Sequence, residues 1–298
     1  MSNVKIGIIG GTGLYEMEGL KKIEPTSVHT PFGSPSDRYI VGELDGINIA
    51  FLPRHGIGHR LLPHELNFRA NIYGFKKIGV ERIISVSAVG SMKEEIKPLH
   101  MVLPDQFFDR TKKRIDTFFG EGIAAHVSFS HPICFNLKSI LHNKIKELCF
   151  PSHNGGTYLC IEGPQFSTRA ESHIYRSWNV DIIGMTNLQE AKLAREAEIC
   201  YATIALVTDY DCWREDEDTL GIEMIIDNLN KNTENVKKVI REAIPEIIKM
   251  ERNCPCSYAL KNAIITQADM IPHKVKEDLH IIIGKYIKSK SPANRRAR

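Results

Sequence analysis

The chain has 298 residues, 42% of them hydrophobic and 25% charged. That composition excludes a disordered chain and leaves room for one large domain or two small ones. The formal net charge of +3 is not spread evenly: from Lys274 onward eight Lys/Arg face two acids, so the rest is slightly acidic, which argues against a nucleic-acid surface.

Short apolar runs alternate with helix-like stretches. The first, Val4 to Ile9, reads as a buried strand ending at Gly10-Gly11-Thr12-Gly13. It is too short for the core of a signal peptide, and no run approaches the ~18 apolar residues of a membrane span. A cytoplasmic protein without nucleic-acid or membrane partners is expected. Asn48 to Leu52 is a second strand running into Pro53-Arg54-His55-Gly56, and His64 to Lys77 follows as a helix after Pro63. Arg82 to Val86 is a third strand, expected to stop at Ser87-Ala88-Val89-Gly90-Ser91. Met101 to Pro104 and Thr157 to Ile161 are two more. Thr168-Arg169-Ala170-Glu171 fits a capping box opening a helix. Asp181 to Met185 and Tyr201 to Val207 are buried strands flanking a helix from Leu188 to Glu198. Val236, Ile240, Ala243, Ile247 and Ile248 mark an amphipathic helix, with Pro245 expected to kink it. The pattern predicts a single α/β domain over 1–287, with a central mixed, largely parallel sheet flanked by helices, and a frayed basic tail over 288–298.

In such sheets ligands bind beyond the carboxyl ends of the strands. The glycine cluster at 10–13 is either a plain turn or an anion site, with backbone N–H groups and the Thr12 hydroxyl as donors. Arg54 after a buried strand suits forked recognition of phosphate. His55, His59 and His64 lack the H-E-x-x-H spacing of a zinc helix. Ser87, Ala88 and Ser91 offer hydroxyls and amides at another strand end. Thr208-Asp209-Tyr210-Asp211-Cys212-Trp213 places two carboxylates at the end of a buried strand, where they are costly unless paired or used. They are structural caps, or an acid and a hydrogen-bonding partner for a heterocycle. Phe166, in Glu162-Gly163-Pro164-Gln165-Phe166-Ser167, is either core or a face for a planar ligand. Of seven cysteines, Cys134, Cys149, Cys160, Cys200 and Cys212 sit singly and read as small core hydrophobes, while Cys254-Pro255-Cys256 is a C-x-C pair.

As an ordered set these clusters resemble the trimeric purine nucleoside phosphorylases. The resemblance rests on Gly7-Ile8-Ile9-Gly10-Gly11-Thr12-Gly13-Leu14, Thr30-Pro31-Phe32-Gly33, Arg54-His55-Gly56, Glu162 through Glu171, Met185-Thr186 and Thr208 through Trp213. It implies a phosphate site from Thr12, Arg54, His55, Ser87, Ala88 and Thr186, with Ser87 where some members have threonine. It implies Met185 packed on the ribose, Phe166 and Ser167 beside the base, and Asp209 and Asp211 on the base's polar edge. His126 would serve the 5′ end of a neighbouring subunit's substrate, in a homotrimer or a dimer of trimers.

The implied reaction is phosphorolysis of a purine nucleoside, in salvage of purine and methionine, with inorganic phosphate as second substrate and neither cofactor nor metal. Asp209 would protonate N7 of the leaving base. Carboxylates at both 209 and 211 accept from a 6-amino group, where a 6-oxopurine would suit Asn. Ile222, Ile225 and Ile226 are candidates for an apolar 5′ pocket, which favours a 5′-methylthio nucleoside of adenine over the alternatives, adenosine or a 6-oxopurine nucleoside. The C-x-C pair resembles one that some prokaryotic and archaeal members link with disulfides; two reduced surface cysteines are the other reading.

Overall fold

The computed structural model describes residues 4–11, 13–14, 16–112, 114–214 and 222–287. Thr12, the side chain of Ile222 and the expected tail over 288–298 lie outside the described residues. In chain order the elements are β1 (Ile6–Gly10), β2 (Leu20–Thr26), β3 (Tyr39–Leu44), β4 (Ile47–Pro53), α1 (Phe68–Lys77), β5 (Arg82–Ser91), β6 (Met101–Leu103), β7 (Gln106–Arg110), α2 (Phe135–Glu147), β8 (Ser152–Asn154), β9 (Thr157–Ile161), α3 (Arg169–Ser177), β10 (Ile182–Gly184), α4 (Asn187–Glu196), β11 (Cys200–Tyr210), α5 (Ile222–Lys249), α6 (His273–Asp278) and α7 (His280–Ile283).

The near-continuous apolar runs of β1, β4, β5 and β11 occupy the centre, as strands covered on both faces must. The strands form one mixed sheet in the order β2-β3-β4-β1-β5-β10-β9-β7, with β11 added against β5 and continued by β6 and β8. The pairs β1–β4, β1–β5, β5–β11, β9–β10, β7–β9 and β6–β8 are parallel. Helices α2 and α5 pack on each other and on β11, while α4 packs on β5, β11 and α1. Ile8, Phe51, Ile84 and Ile204 from the sheet and Leu141, Ile240 and Ile244 from the helices share one core.

One feature of the sheet places the site. β5 pairs with β1 only as far as Ser85, and with β10 only at Gly90 and Ser91. Between them residues 86–89 have no strand partner on that edge among the described residues, so the sheet splits beyond the carboxyl end of β1. The expectation that β5 stops at Ser87 is therefore corrected: the strand runs on to Ser91 because β11 pairs with it through Val89 and beyond. Three further expectations need correction. The helix after Pro63 is a single 3-10 turn over Pro63–Glu65, and the α-helix starts only after Asn67, whose side chain caps it. Cys149 is exposed rather than core, and Cys254 and Cys256 are buried rather than at the surface. Pro245, where a kink is expected, lies within α5.

Candidate active site

Arg54 follows β4 directly, and its backbone N–H donates to Gly10 O at 2.9 Å, tying two strand ends together. Its guanidinium is 2% exposed. Nε donates to Glu190 Oε1 at 2.5 Å, Nη2 to Glu190 Oε2 at 3.2 Å and to Ser85 Oγ at 2.7 Å, and Nη1 to Val86 O at 2.8 Å. The Val86 carbonyl belongs to the stretch of β5 left bare by the split. Burial works against the arginine's charge, but the Glu190 carboxylate outweighs it and holds the group protonated. Four of the five N–H groups are thus engaged inside the protein, and one Nη1 hydrogen has no acceptor among the described residues.

Glu190 is itself fully buried and also accepts from Ser85 Oγ at 2.9 Å and Tyr201 Oη at 2.7 Å. Asn187 Nδ2 lies 2.9 Å from Thr203 Oγ1 and 3.0 Å from Ser85 Oγ. This polar network was not anticipated. In the sequence Glu190 is only an acid in the first turn of a helix, a common preference on dipole grounds; its partner lies 136 residues away.

His55 Nδ1 donates to Leu61 O at 2.8 Å, which leaves Nε2 as an acceptor. Burial, reinforced by the Arg54 charge, lowers its pKa to about 4, so the ring is neutral at pH 7. It stacks on His59 with ring centroids 4.3 Å apart. Ser87 is buried. Its hydroxyl lies near the Tyr158 hydroxyl, yet neither atom completes a hydrogen bond among the described residues. Ala88 is exposed beside it. Thr186 is buried at the N-terminus of α4, where amide groups face an incoming anion. Arg54 and His55 thus follow β4, Ser87 lies in the bare stretch of β5, and Thr186 follows β10.

The other end is made by β11. Its pairing with β5 slips by one residue, so that Val207 faces Val89 but Asp209 faces Gly90. This bulge leaves Thr208 extra and re-aims the acidic segment. Two asparagines of α5 hold it: Asn232 Nδ2 donates to Val207 O at 2.9 Å and Asn228 Nδ2 to Thr208 O at 2.8 Å. Asp209 Oδ1 accepts from Thr208 Oγ1 at 2.5 Å. Asp211 accepts from Ser172 of α3, and burial raises its pKa against that hydrogen bond. Both acids crowd Gly90, where a Cβ would lie 3.5 Å from Asp209 Oδ2 and 3.1 Å from Ile183. An added Cβ there would press on Ile183 and come into van der Waals contact with both acids.

Met185, after β10, packs on Gly163; a Cβ at that position would meet Met185 Sδ at 2.6 Å. Arg114, also not anticipated, ties the two segments: it donates to Met185 O and Glu162 O and lies 3.2 Å from the Glu162 carboxylate. The capping box at Thr168 forms as expected, with Thr168 N donating to Glu171 Oε2 at 2.9 Å. Ser167 lies beside Asp211, and its carbonyl receives the Cys212 thiol. Phe166 is 79% exposed and Ile226 49%, and Ile225 is half-buried, so none of the three is core. His126 is exposed on a separate segment, its N–H bonded to Ala263 O at 2.9 Å.

Along β5, the crevice where the sheet splits thus has Ser87 and the Arg54-bound Val86 carbonyl at one end and the two carboxylates beside Gly90 at the other. A family model, the phosphorylase superfamily, matches residues 5–245. The chain is 59% identical over 282 residues to the S-methyl-5′-thioadenosine phosphorylase of Koribacter versatilis, covering 95% of this chain and 96% of that one. Among solved structures, a methylthioadenosine phosphorylase from an antarctic soil metagenomic library superposes with a TM-score of 0.91 at 48% identity, over 94% of this chain and 99% of that one. The Schistosoma mansoni methylthioadenosine phosphorylase in complex with adenine gives 0.79 at 31% identity, over 94% and 98%.

Proposed function

The chain belongs to the phosphorylase superfamily, and on that premise we propose that it cleaves S-methyl-5′-thioadenosine with inorganic phosphate. The products are adenine and S-methyl-5-thio-α-D-ribose 1-phosphate. The observation that carries this reading is the pair Asp209 and Asp211, turned by the β11 bulge toward Gly90 of β5, the same strand that carries Ser87 and whose Val86 carbonyl holds Arg54.

A phosphate oxygen attacks the anomeric carbon as the bond to N9 breaks. The sugar passes through a cationic, oxocarbenium-like state, stabilised by the phosphate held at the split in the sheet. The Arg54 N–H left over from its internal bonds, the α4 N-terminus and the Ser87 and Thr186 hydroxyls donate to phosphate. Neutral His55 accepts, through Nε2, a hydrogen bond from the P–OH of a hydrogen phosphate. Adenine leaves poorly as an anion, so Asp209 donates a proton toward N7 and Asp211 takes the 6-amino edge. Met185 packs on the ribose, Phe166 and Ser167 lie at the base, and Ile225 and Ile226 line the 5′ end. The reaction balances with nucleoside and phosphate alone, so no cofactor enters it.

The exposed His126 and Phe166 fit a homotrimer in which a neighbour completes the site, and a cytoplasmic location suits two soluble metabolites. The test is adenine release from methylthioadenosine with and without phosphate, beside adenosine and inosine. Release that depends on phosphate and is fastest with methylthioadenosine supports the proposal. Release without phosphate, or a preference for inosine, removes it.

A further inference from the structure

Four cysteines that are far apart in the chain meet away from the crevice. Cys134 precedes α2, Cys200 opens β11, and Cys254 and Cys256 follow α5. Their sulfur atoms all lie within 4.8 Å of one another, with Cys200 and Cys254 at 3.3 Å and Cys134 and Cys254 at 3.8 Å. All four are buried, none more than 7% exposed. Among the described residues this is the one group of three or more metal-capable side chains so close together. Four sulfurs around a zinc ion, each about 2.3 Å from it, stand about 3.8 Å apart. Two separate disulfides would instead draw the sulfurs into pairs near 2.05 Å. The surroundings suit a charged centre. The buried Arg195 guanidinium lines the same cleft as Cys134, Cys254 and Cys256 and is itself held by the carbonyls of Ser128 and His131. Zinc with four thiolates carries a net negative charge, which a buried cation offsets. A cleft of about 660 Å³ lined by Cys134, Cys254, Cys256 and Arg195 gives an ion a way in.

We propose that Cys134, Cys200, Cys254 and Cys256 bind one zinc ion in a closed, structural tetrathiolate site. The four thiols release their protons to solvent as the zinc–sulfur bonds form, and nothing is oxidised or reduced. With four protein ligands there is no open position, so the ion takes no part in catalysis. It pins the segment after α5 to the start of α2 and to the start of β11, the strand whose far end carries Asp209.

The test uses the full chain, purified reduced and without a histidine tag. Elemental analysis should find about one zinc per chain. With zinc in place the four cysteines should resist alkylation while Cys149, exposed and elsewhere, reacts. Cobalt substitution should give the intense visible bands of a tetrahedral thiolate site. Cys256→Ser should cut zinc content at least tenfold, and Cys149→Ser should leave it unchanged. If Cys256→Ser does not fold, cobalt substitution and alkylation of the unaltered chain still decide. A reduced chain that takes up no zinc on titration, one that holds iron instead, or one whose intact mass shows two disulfides as isolated, would overturn the proposal.

Discussion

Arg54 stands in the site with most of its hydrogen bonds already spent on Glu190, Ser85 and Val86. Its loss therefore has two consequences. Arg54→Ala leaves the fully buried Glu190 carboxylate without its cation, which should cost about 3–5 kcal/mol of stability in denaturant unfolding. Pairing Arg54→Met with Glu190→Leu should restore most of that stability and still leave the KM for phosphate raised. A double variant with ordinary phosphate affinity would show that Arg54 only builds the fold. This separation follows from the structure alone. The sequence marks Arg54 as a phosphate residue because an arginine beside glycine after a buried strand is conspicuous. Glu190 and Arg114 are invisible there, because each looks like an ordinary surface charge until the chain folds and places its partner.

At the scale of elements, the central strands were legible because burial on both faces leaves unbroken apolar runs in β1, β4 and β11. β2 was not: Leu20–Thr26 is an edge strand with a mostly exposed, lysine-bearing face and Pro25 within it. α2 was missed for a different reason, since its N-cap is Cys134, which makes no side-chain capping bond. The bulge at Thr208 is set by pairing with β5 and by two asparagines of α5, none of which is adjacent in sequence. That bulge aims both acids. Asn228→Ala should remove the bond to Thr208 O, cost about 1–3 kcal/mol, and lower kcat about tenfold with little change in the KM for phosphate. Steady-state kinetics with both substrates varied would check it; an unchanged kcat would mean that Asp209 holds its place without α5.

At the scale of the whole molecule, an apolar surface adjoins the site. Phe108 on β7 and Trp178 after α3 are each 44% exposed with rings 5.2 Å apart, and Ile174 is 50% exposed. β7 also ends the main run of the sheet, with no strand beyond it among the described residues. Aromatic residues of this kind anchor interfaces. If the proposed homotrimer uses this surface, Trp178→Asp should convert it in sedimentation to smaller species with reduced activity; an assembly unaltered by the substitution would place the interface elsewhere. The central claim, however, is that the acidic end of the crevice selects and protonates a 6-aminopurine. The direct measurement is kcat/KM of Asp209→Asn on methylthioadenosine and on inosine. An asparagine cannot protonate N7, and its amide presents a donor where adenine also donates. Turnover of methylthioadenosine should fall by about 10²–10⁴-fold, the usual worth of a positioned general acid, and relative preference should move toward inosine. Wild-type turnover of methylthioadenosine by Asp209→Asn would make Asp209 a structural cap and contradict the account.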